Sequence, residues 1–174
     1  ELLSQDHAEL VAEYADMLQI GTRNAQNFQL LIAAAETGKP VLLKRGMSMR
    51  IMEWLLAGEY VLANQNPNLL FCERGVRTFE DYTRNTLDLS AVAVVKNESH
   101  CPVVVDPSQG CGKAALVRAM CKGAVAMGAD ALLIEVHPDP AHAISDAAQQ
   151  IDLEGFGELM QELKPIAESV GREI

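Results

Sequence analysis

Three positively charged residues each follow a short apolar run that has the character of a β-strand. Arg23, Lys44 and Arg74 come at or just after the ends of such runs. Like charges that converge at one sheet edge repel unless an anion lies between them, so the trio predicts a site for a phosphate or a carboxylate. Arginine suits this chemistry because its planar fork can hold two oxygens at once. Arg77 and Arg84 either belong to the same basic rim or face solvent.

A second group of residues with possible chemistry follows the apolar run at 131–134. Glu135 and Asp146 are candidate oxygen ligands for a cation, whereas His137 and Asp139 fit a turn better than a metal site. The strand-like alternation sends neighbouring side chains to opposite faces, which makes the segment a weak metal signal when taken alone. Cys72 ends an apolar run and is interpreted as a core thiol rather than a nucleophile. We identify no adjacent base for Cys101, Cys111 and Cys121 and interpret them as inert thiols.

Elements that would position these residues alternate regularly along the chain. Strands are predicted near residues 17–21, 41–43, 69–72, 102–105 and 131–134, and helices near residues 6–14, 25–36, 50–63, 87–97, 113–127 and 153–170. Continuous apolar strands separated by helices predict a parallel sheet that is covered on both faces. The polar residues then lie at the carboxyl ends of the strands, where proteins of this class build their sites.

The composition and net charge of the chain disfavour several classes of function. The 174 residues are 49% hydrophobic and 22% charged, as in a single globular domain with a sizeable core. A net charge of −10 disfavours nucleic acid and anionic membrane surfaces as partners. No apolar run reaches the roughly 18 residues of a membrane span, and the start has no basic signal-peptide region. Four cysteines without a CxxC spacing favour reduced thiols and a cytoplasmic location.

Several segments resemble a known enzyme family. Residues 38–46 (GKPVLLKRG), 72–79 (CERGVRTF) and 84–88 (RNTLD) are similar to signatures of the type Iβ 3-deoxy-D-arabino-heptulosonate 7-phosphate (DAHP) synthases. Further matching segments follow in the same order at 20–24, 106–108, 135–140 and 145–146. The sister family of 3-deoxy-D-manno-octulosonate 8-phosphate synthases shares the CERG portion but departs after it.

The resemblance implies an α/β fold, a parallel (β/α)8 TIM barrel of which this chain covers roughly the last five β/α units. Residues 1–174 would form a single, partial barrel domain with catalytic function. The implied reaction condenses phosphoenolpyruvate with erythrose 4-phosphate and releases phosphate, as the first step of the shikimate pathway to aromatic amino acids. A homo-oligomer in the cytoplasm is expected.

The same resemblance implies roles for individual residues. Lys44 and Arg74 would be catalytic. The substrate-binding set would be Arg23, Lys44, Arg45, Glu73, Arg74 and Asp106. Glu135 and Asp146 would be two ligands of a divalent metal such as Mn²⁺, Fe²⁺ or Zn²⁺.

Two departures from the family pattern weaken the implied metal site. The family has histidine directly after the Asp-Pro-Ser segment, and this chain has Gln109 as the replacing ligand. A carboxamide oxygen is a weaker and harder donor than imidazole, so metal binding should fall or shift toward Mn²⁺ or Mg²⁺. The family's Gly-Pro-Cys segment, which carries a cysteine ligand, and its Lys-Pro-Arg-Thr-Ser loop do not occur in this sequence.

Alternatives therefore stay open. Five strands alone would leave unpaired sheet edges, so we expect either a longer native protein or pairing with another chain. The protein is either a DAHP synthase or a catalytically impaired relative that binds phosphoenolpyruvate-like anions or a partner chain. Gln109 and the missing cysteine favour the second reading, and the charged residues at the strand ends favour the first. An octulosonate synthase is disfavoured by the Arg-Thr-Phe sequence at 77–79.

Overall fold

The computed structural model describes residues 1–174 and has an α/β architecture. Its strands are β1 (Leu18–Ile20), β2 (Val41–Lys44), β3 (Leu69–Glu73), β4 (Val103–Val105) and β5 (Ala131–Leu132). The helices are α1 (Ala8–Tyr14), α2 (Phe28–Glu36), α3 (Ile51–Ala63), α4 (Ser90–Glu98), α5 (Pro107–Cys111), α6 (Ala114–Ala126) and α7 (Leu153–Ser169). The strands form one parallel sheet in the order β1-β2-β3-β4-β5. The predicted fold class is confirmed.

Helices α2 and α4 begin three residues later than predicted, and two further elements, α5 and β5, differ more. Helix α5 was not predicted because five residues are too few to show a hydrophobic period; it forms where the Asp106 side chain caps the backbone N–H of Gln109 at 2.9 Å. Strand β5 is shorter than the apolar run at 131–134. It is the last strand of the sheet and pairs only with β4, so a ladder on one side alone holds it.

The chain divides into two compact units. Unit 1 contains residues 1–72 and 94–103, and unit 2 contains residues 73–93 and 104–174. The single-domain assignment stays a prediction. None of the helices combines the length and the apolar character needed to cross a membrane.

Unit 1 is organised around Trp54 of α3. The indole is fully buried, donates its Nε1–H to the carbonyl oxygen of Leu43 at 3.2 Å, and packs edge-on against Phe71 with ring centroids 5.0 Å apart. A buried indole needs such an acceptor, since its N–H would otherwise lose its bond to water. Trp54 thus fixes α3 against β2 and β3, the strands that precede two of the candidate cations.

Replacing Gly58 with alanine should destabilise unit 1. A β-carbon at this α3 position would lie 2.4 Å from Cζ of Phe71 and 2.8 Å from Cδ2 of Leu69, and overpacking of this kind costs about 1–3 kcal/mol. Gly157 of α7 is the matched control, because an added β-carbon there meets nothing within 4 Å. Gly157→Ala should stabilise its helix by about 0.5–1 kcal/mol. Urea denaturation of both variants measures the difference, and shifts of the same sign would contradict the predicted close packing.

Unit 2 has a core between α6 and α7. Val117 and Cys121 on α6 pack with Leu159 and Leu163 on α7, and all four side chains are buried. Burial raises the pKa of the Cys121 thiol to about 12, so the thiol stays protonated near neutral pH. All four cysteines of the chain are buried. Nε2 of His100 lies 3.9 Å from Sγ of Cys101, so the expectation that Cys101 has no neighbouring base is wrong, and the inertness of the thiols stays a prediction.

Candidate active site

Two of the candidate cations belong to unit 1. Arg23 lies in the 3-10 helix Thr22–Asn24 directly after β1, and Lys44 is the last residue of β2. Ile20 is paired with Leu43 in the parallel ladder, so both cations follow the same edge of the sheet. Arg23 is exposed and Lys44 is half-buried. Their role in binding an anion stays a prediction.

Arg45 holds the loop that follows β2. The residue is 5% exposed, its Nε–H donates to the carbonyl oxygen of Met49 at 3.0 Å, and its guanidinium lies 5.8 Å from the centroid of the Trp54 ring. Its backbone carbonyl accepts from the Thr22 hydroxyl at 2.9 Å, which ties the loop after β1 to the loop after β2. These contacts position the segment that carries Lys44. A direct contact of Arg45 with substrate stays a prediction.

Unit 2 contains the remaining predicted site residues. Glu73, at the end of β3, is fully buried, and its Oε1 accepts the backbone N–H of Gly75 at 2.6 Å. Gly75 has φ +86°, and a β-carbon there would lie 2.7 Å from Cβ of Asn85. Glycine is therefore needed for the sharp turn that follows Arg74. Asp106 is also buried and caps α5, so Glu73 and Asp106 both orient backbone, and their substrate contacts stay predictions.

A chain of side-chain hydrogen bonds connects four of the motif segments within unit 2. Arg74 is 6% exposed, and its Nη2 donates to Oε1 of Gln109 at 3.0 Å. The Nε2 group of Gln109 donates to Oε1 of Glu135 at 2.7 Å and to Oδ2 of Asp146 at 3.2 Å. The structure therefore brings Arg74, Gln109, Glu135 and Asp146 together at the carboxyl end of the sheet.

Arg84 and Gln149 close the other side of this cluster. Nη1 of Arg84 donates to Oδ1 of Asp146 at 2.8 Å and to Oε1 of Gln149 at 2.9 Å. The amide of Gln149 donates in turn to Oε1 of Glu135 at 2.9 Å. Arg84, which sequence reasoning left between rim and solvent, is thus an ion-pair partner of a predicted metal ligand. We call Arg74, Arg84, Gln109, Glu135, Asp146 and Gln149 the polar cluster.

The sequence analysis gave no role in the site to three supporting residues. Ser108 is fully buried and accepts the backbone N–H of Glu135 at 3.0 Å, while the Asn85 amide donates to the carbonyl oxygen of Gln109 at 2.9 Å. Gln149 is 2% exposed. Ser108 and Asn85 stand inside motifs that were recognised, which was a usable signal. Gln149 had none, since a glutamine in a turn is ordinarily a solvated residue.

The side chains of the two histidines beyond β5 make local contacts, whereas the backbone N–H of His137 donates to the carbonyl oxygen of Ile151 at 3.0 Å. Nδ1 of His137 accepts the backbone N–H of Asp139 at 3.0 Å, and Nδ1 of His142 lies 2.8 Å from Oδ2 of Asp139. Both contacts are within one turn, as the sequence predicted for His137 and Asp139. The chain contains no group of three or more histidine, cysteine, aspartate or glutamate residues arranged to hold a metal ion.

Buried charged residues at the carboxyl edge of a parallel sheet define the class, an α/β protein of the kind that builds its site after the strands. The model of the DAHP synthetase I family matches residues 1–169. The phospho-2-dehydro-3-deoxyheptonate aldolase of Thermotoga maritima is 51% identical over 98% of this chain and 51% of its own length. A 2-dehydro-3-deoxyphosphooctonate aldolase of Caulobacter vibrioides is 33% identical over 90% of this chain and 58% of its own length.

Solved structures give the same result. A truncated form of 3-deoxy-D-arabino-heptulosonate 7-phosphate synthase from Thermotoga maritima superimposes with a TM-score of 0.96 at 50% identity, covering 98% of this chain and 65% of that one. The chain belongs to the DAHP synthetase I family, and the predicted resemblance is confirmed. It spans about half the length of the Thermotoga enzyme.

Proposed function

We propose that this chain is part of a DAHP synthase, which condenses phosphoenolpyruvate with erythrose 4-phosphate. In that reaction C3 of phosphoenolpyruvate bonds to the aldehyde carbon, water adds at C2, and inorganic phosphate leaves. The 51% identity to the Thermotoga enzyme supports this choice over the octulosonate relatives, one of which is 33% identical. The shikimate pathway, a cytoplasmic location and a homo-oligomer are parts of the same proposal.

The polar cluster is the observation that carries the proposal. Its members come from segments after β3, β4 and β5, and they are joined by hydrogen bonds between residues up to 65 positions apart. Burying a charged group such as the Arg74 guanidinium is costly unless other groups compensate it. An arginine with no role in binding would ordinarily stay in solvent. The arrangement fits a site that receives charged ligands.

Charge complementarity supports a role for the three cations in substrate binding. Phosphoenolpyruvate carries a phosphate and a carboxylate, which suit the ammonium of Lys44 and the guanidinium forks of Arg23 and Arg74. By the resemblance to the family, each of these cations would bind an anionic group of the substrate, and such cations neutralise the phosphate as it leaves. Glu73 and Asp106 would support the cations indirectly, by fixing the turns after β3 and β4.

Family members are generally metal-dependent, and the donor set of this chain does not fit that pattern. Of the three residues at the corresponding positions, Glu135 and Asp146 are carboxylates, but Gln109 presents its NH₂ group to both of them. An NH₂ group has no lone pair available to a cation. We therefore assign no catalytic step to a metal.

The decisive assay follows phosphoenolpyruvate consumption and phosphate release with erythrose 4-phosphate, with and without Mn²⁺, using the intact protein. We expect consumption of both substrates and a seven-carbon product. A five-carbon aldose phosphate serves as the control aldehyde, because an octulosonate synthase must add three carbons to five. Preference for the five-carbon aldehyde would overturn the assignment, and no turnover under any of these conditions would favour the catalytically impaired relative.

A further inference from the structure

Within the polar cluster, the side-chain amide of Gln109 lies between the carboxylates of Glu135 and Asp146. Nε2 of Gln109 lies 2.7 Å from Oε1 of Glu135 and 3.2 Å from Oδ2 of Asp146. We propose that the Gln109 side chain takes the place of the family's divalent cation, so that this site joins its two carboxylates without a metal. The inference rests on the proposed function for the nature of the site.

The partners of Gln109 fix which end of the amide faces the carboxylates. Its Oε1 accepts from the Arg74 guanidinium at 3.0 Å, and a guanidinium has donors only. Reversing the amide would set its NH₂ group against those donors and its oxygen against two carboxylate oxygens. Both contacts would then be repulsive. Arg74 thus holds Gln109 in the orientation that cannot ligate a cation.

Charge balance in the polar cluster points the same way. The polar cluster contains two carboxylates, Glu135 and Asp146, and two guanidiniums, Arg74 and Arg84. Oδ1 of Asp146 pairs with Arg84 at 2.8 Å, and Arg74 is linked to the carboxylates through Gln109. Oε1 of Glu135 has a further donor in the Gln149 amide at 2.9 Å. Glu135 is half-buried and Asp146 is exposed, and both carboxylates have hydrogen-bond donors among the side chains of the chain itself.

The backbone at Asp146 is adapted to this arrangement. Asp146 has φ +52°, one of two non-glycine residues in the left-handed region, and such a conformation persists only where surrounding contacts determine it. The contacts are the Arg84 and Gln109 hydrogen bonds. A cation entering between Glu135 and Asp146 would have to displace the NH₂ group of Gln109 and break its bond to Arg74.

Metal retention tests the inference directly. The intact protein is incubated with MnCl₂, dialysed against metal-free buffer, and analysed for manganese. The parent should retain no more than the background, whereas Gln109→Glu should retain at least about ten times more. This change is isosteric, replaces the NH₂ group by a ligating oxygen, and leaves the other oxygen for Arg74. Gln109→His, which restores the family residue, should also retain Mn²⁺.

Gln29→His is the matched control, since Gln29 is exposed on α2 in unit 1; it should behave as the parent does. Thermal melts with Mn²⁺ and with EDTA check that each variant folds. Mn²⁺ should raise the melting temperature of the Gln109 variants and not of the parent, because a ligand stabilises the state that binds it.

Three results would overturn the inference. The first is retention of about one equivalent of Mn²⁺ by the parent, and the second is the absence of any gain in both folded Gln109 variants. The third is loss of turnover in EDTA, because turnover of phosphoenolpyruvate with erythrose 4-phosphate should be unchanged by the chelator. If the protein is inactive and retains no metal, the proposed function is contradicted. The manganese measurement still decides this inference in that case.

Discussion

Replacing Lys44 with alanine is expected to abolish phosphoenolpyruvate binding while the protein stays folded. The variant lacks the ammonium at the end of β2, so an anionic group of phosphoenolpyruvate would lose its positively charged partner. Removing one partner from a desolvated charge pair costs about 2–5 kcal/mol, or about thirtyfold to several thousandfold in Kd. The fold should tolerate the change because the backbone of Lys44 continues to pair with Cys72 in the parallel ladder.

Isothermal titration with phosphoenolpyruvate measures the loss, and circular dichroism confirms that the variant is folded. Lys39→Ala is the control, since Lys39 precedes β2 at the opposite end of the strand and should bind phosphoenolpyruvate as the parent does. An unchanged titration of Lys44→Ala would remove Lys44 from the site.

Replacing Arg74 with alanine is expected to weaken phosphoenolpyruvate binding by a similar factor and also to lower the stability of the protein. Phosphoenolpyruvate binding should be abolished because a guanidinium fork is lost. In addition, the side-chain Oε1 of Gln109 loses its bond to Arg74, and an unsatisfied polar group of this kind costs about 1–3 kcal/mol of stability. The variant should therefore bind no phosphoenolpyruvate and melt at a lower temperature.

Two further variants separate these effects. Arg77→Ala removes an exposed arginine from the same loop and should leave both binding and melting unchanged. Arg74→Lys keeps the charge without the planar fork, so it should restore part of the affinity. If Arg74→Ala binds phosphoenolpyruvate as tightly as Arg77→Ala does, Arg74 has only a structural role in the polar cluster.

The altered position 109 changes how this family site is to be understood. A histidine there would donate a lone pair to a cation, whereas Gln109 uses the same position to donate hydrogen bonds to the carboxylates. The two arrangements solve one electrostatic problem, which is that neighbouring carboxylates repel unless something positive or proton-donating lies between them. The manganese measurement on the parent, compared with Gln109→Glu, decides which arrangement this protein uses.

Much of the fold was predictable because strands and helices record their environment in local patterns. The run Val103–Val105 is buried throughout, as expected of a strand covered on both faces. Helix α7 was predicted to within one residue of its observed limits. The location of the charged residues at the carboxyl edge was also predictable from the sequence. A polar residue directly after a buried strand must lie at that edge of a parallel sheet.

The tertiary structure alone decided how the polar residues pair. Whether Gln109 offers its oxygen or its NH₂ group to Glu135 depends on Arg74, which is 35 residues away in sequence. Gln149 gave no signal because its partners, Arg84 and Glu135, are brought to it by separate segments. Hydrophobic periodicity reports burial, which is a property of one segment. A hydrogen bond between side chains is a property of two segments, and only their folded arrangement determines it.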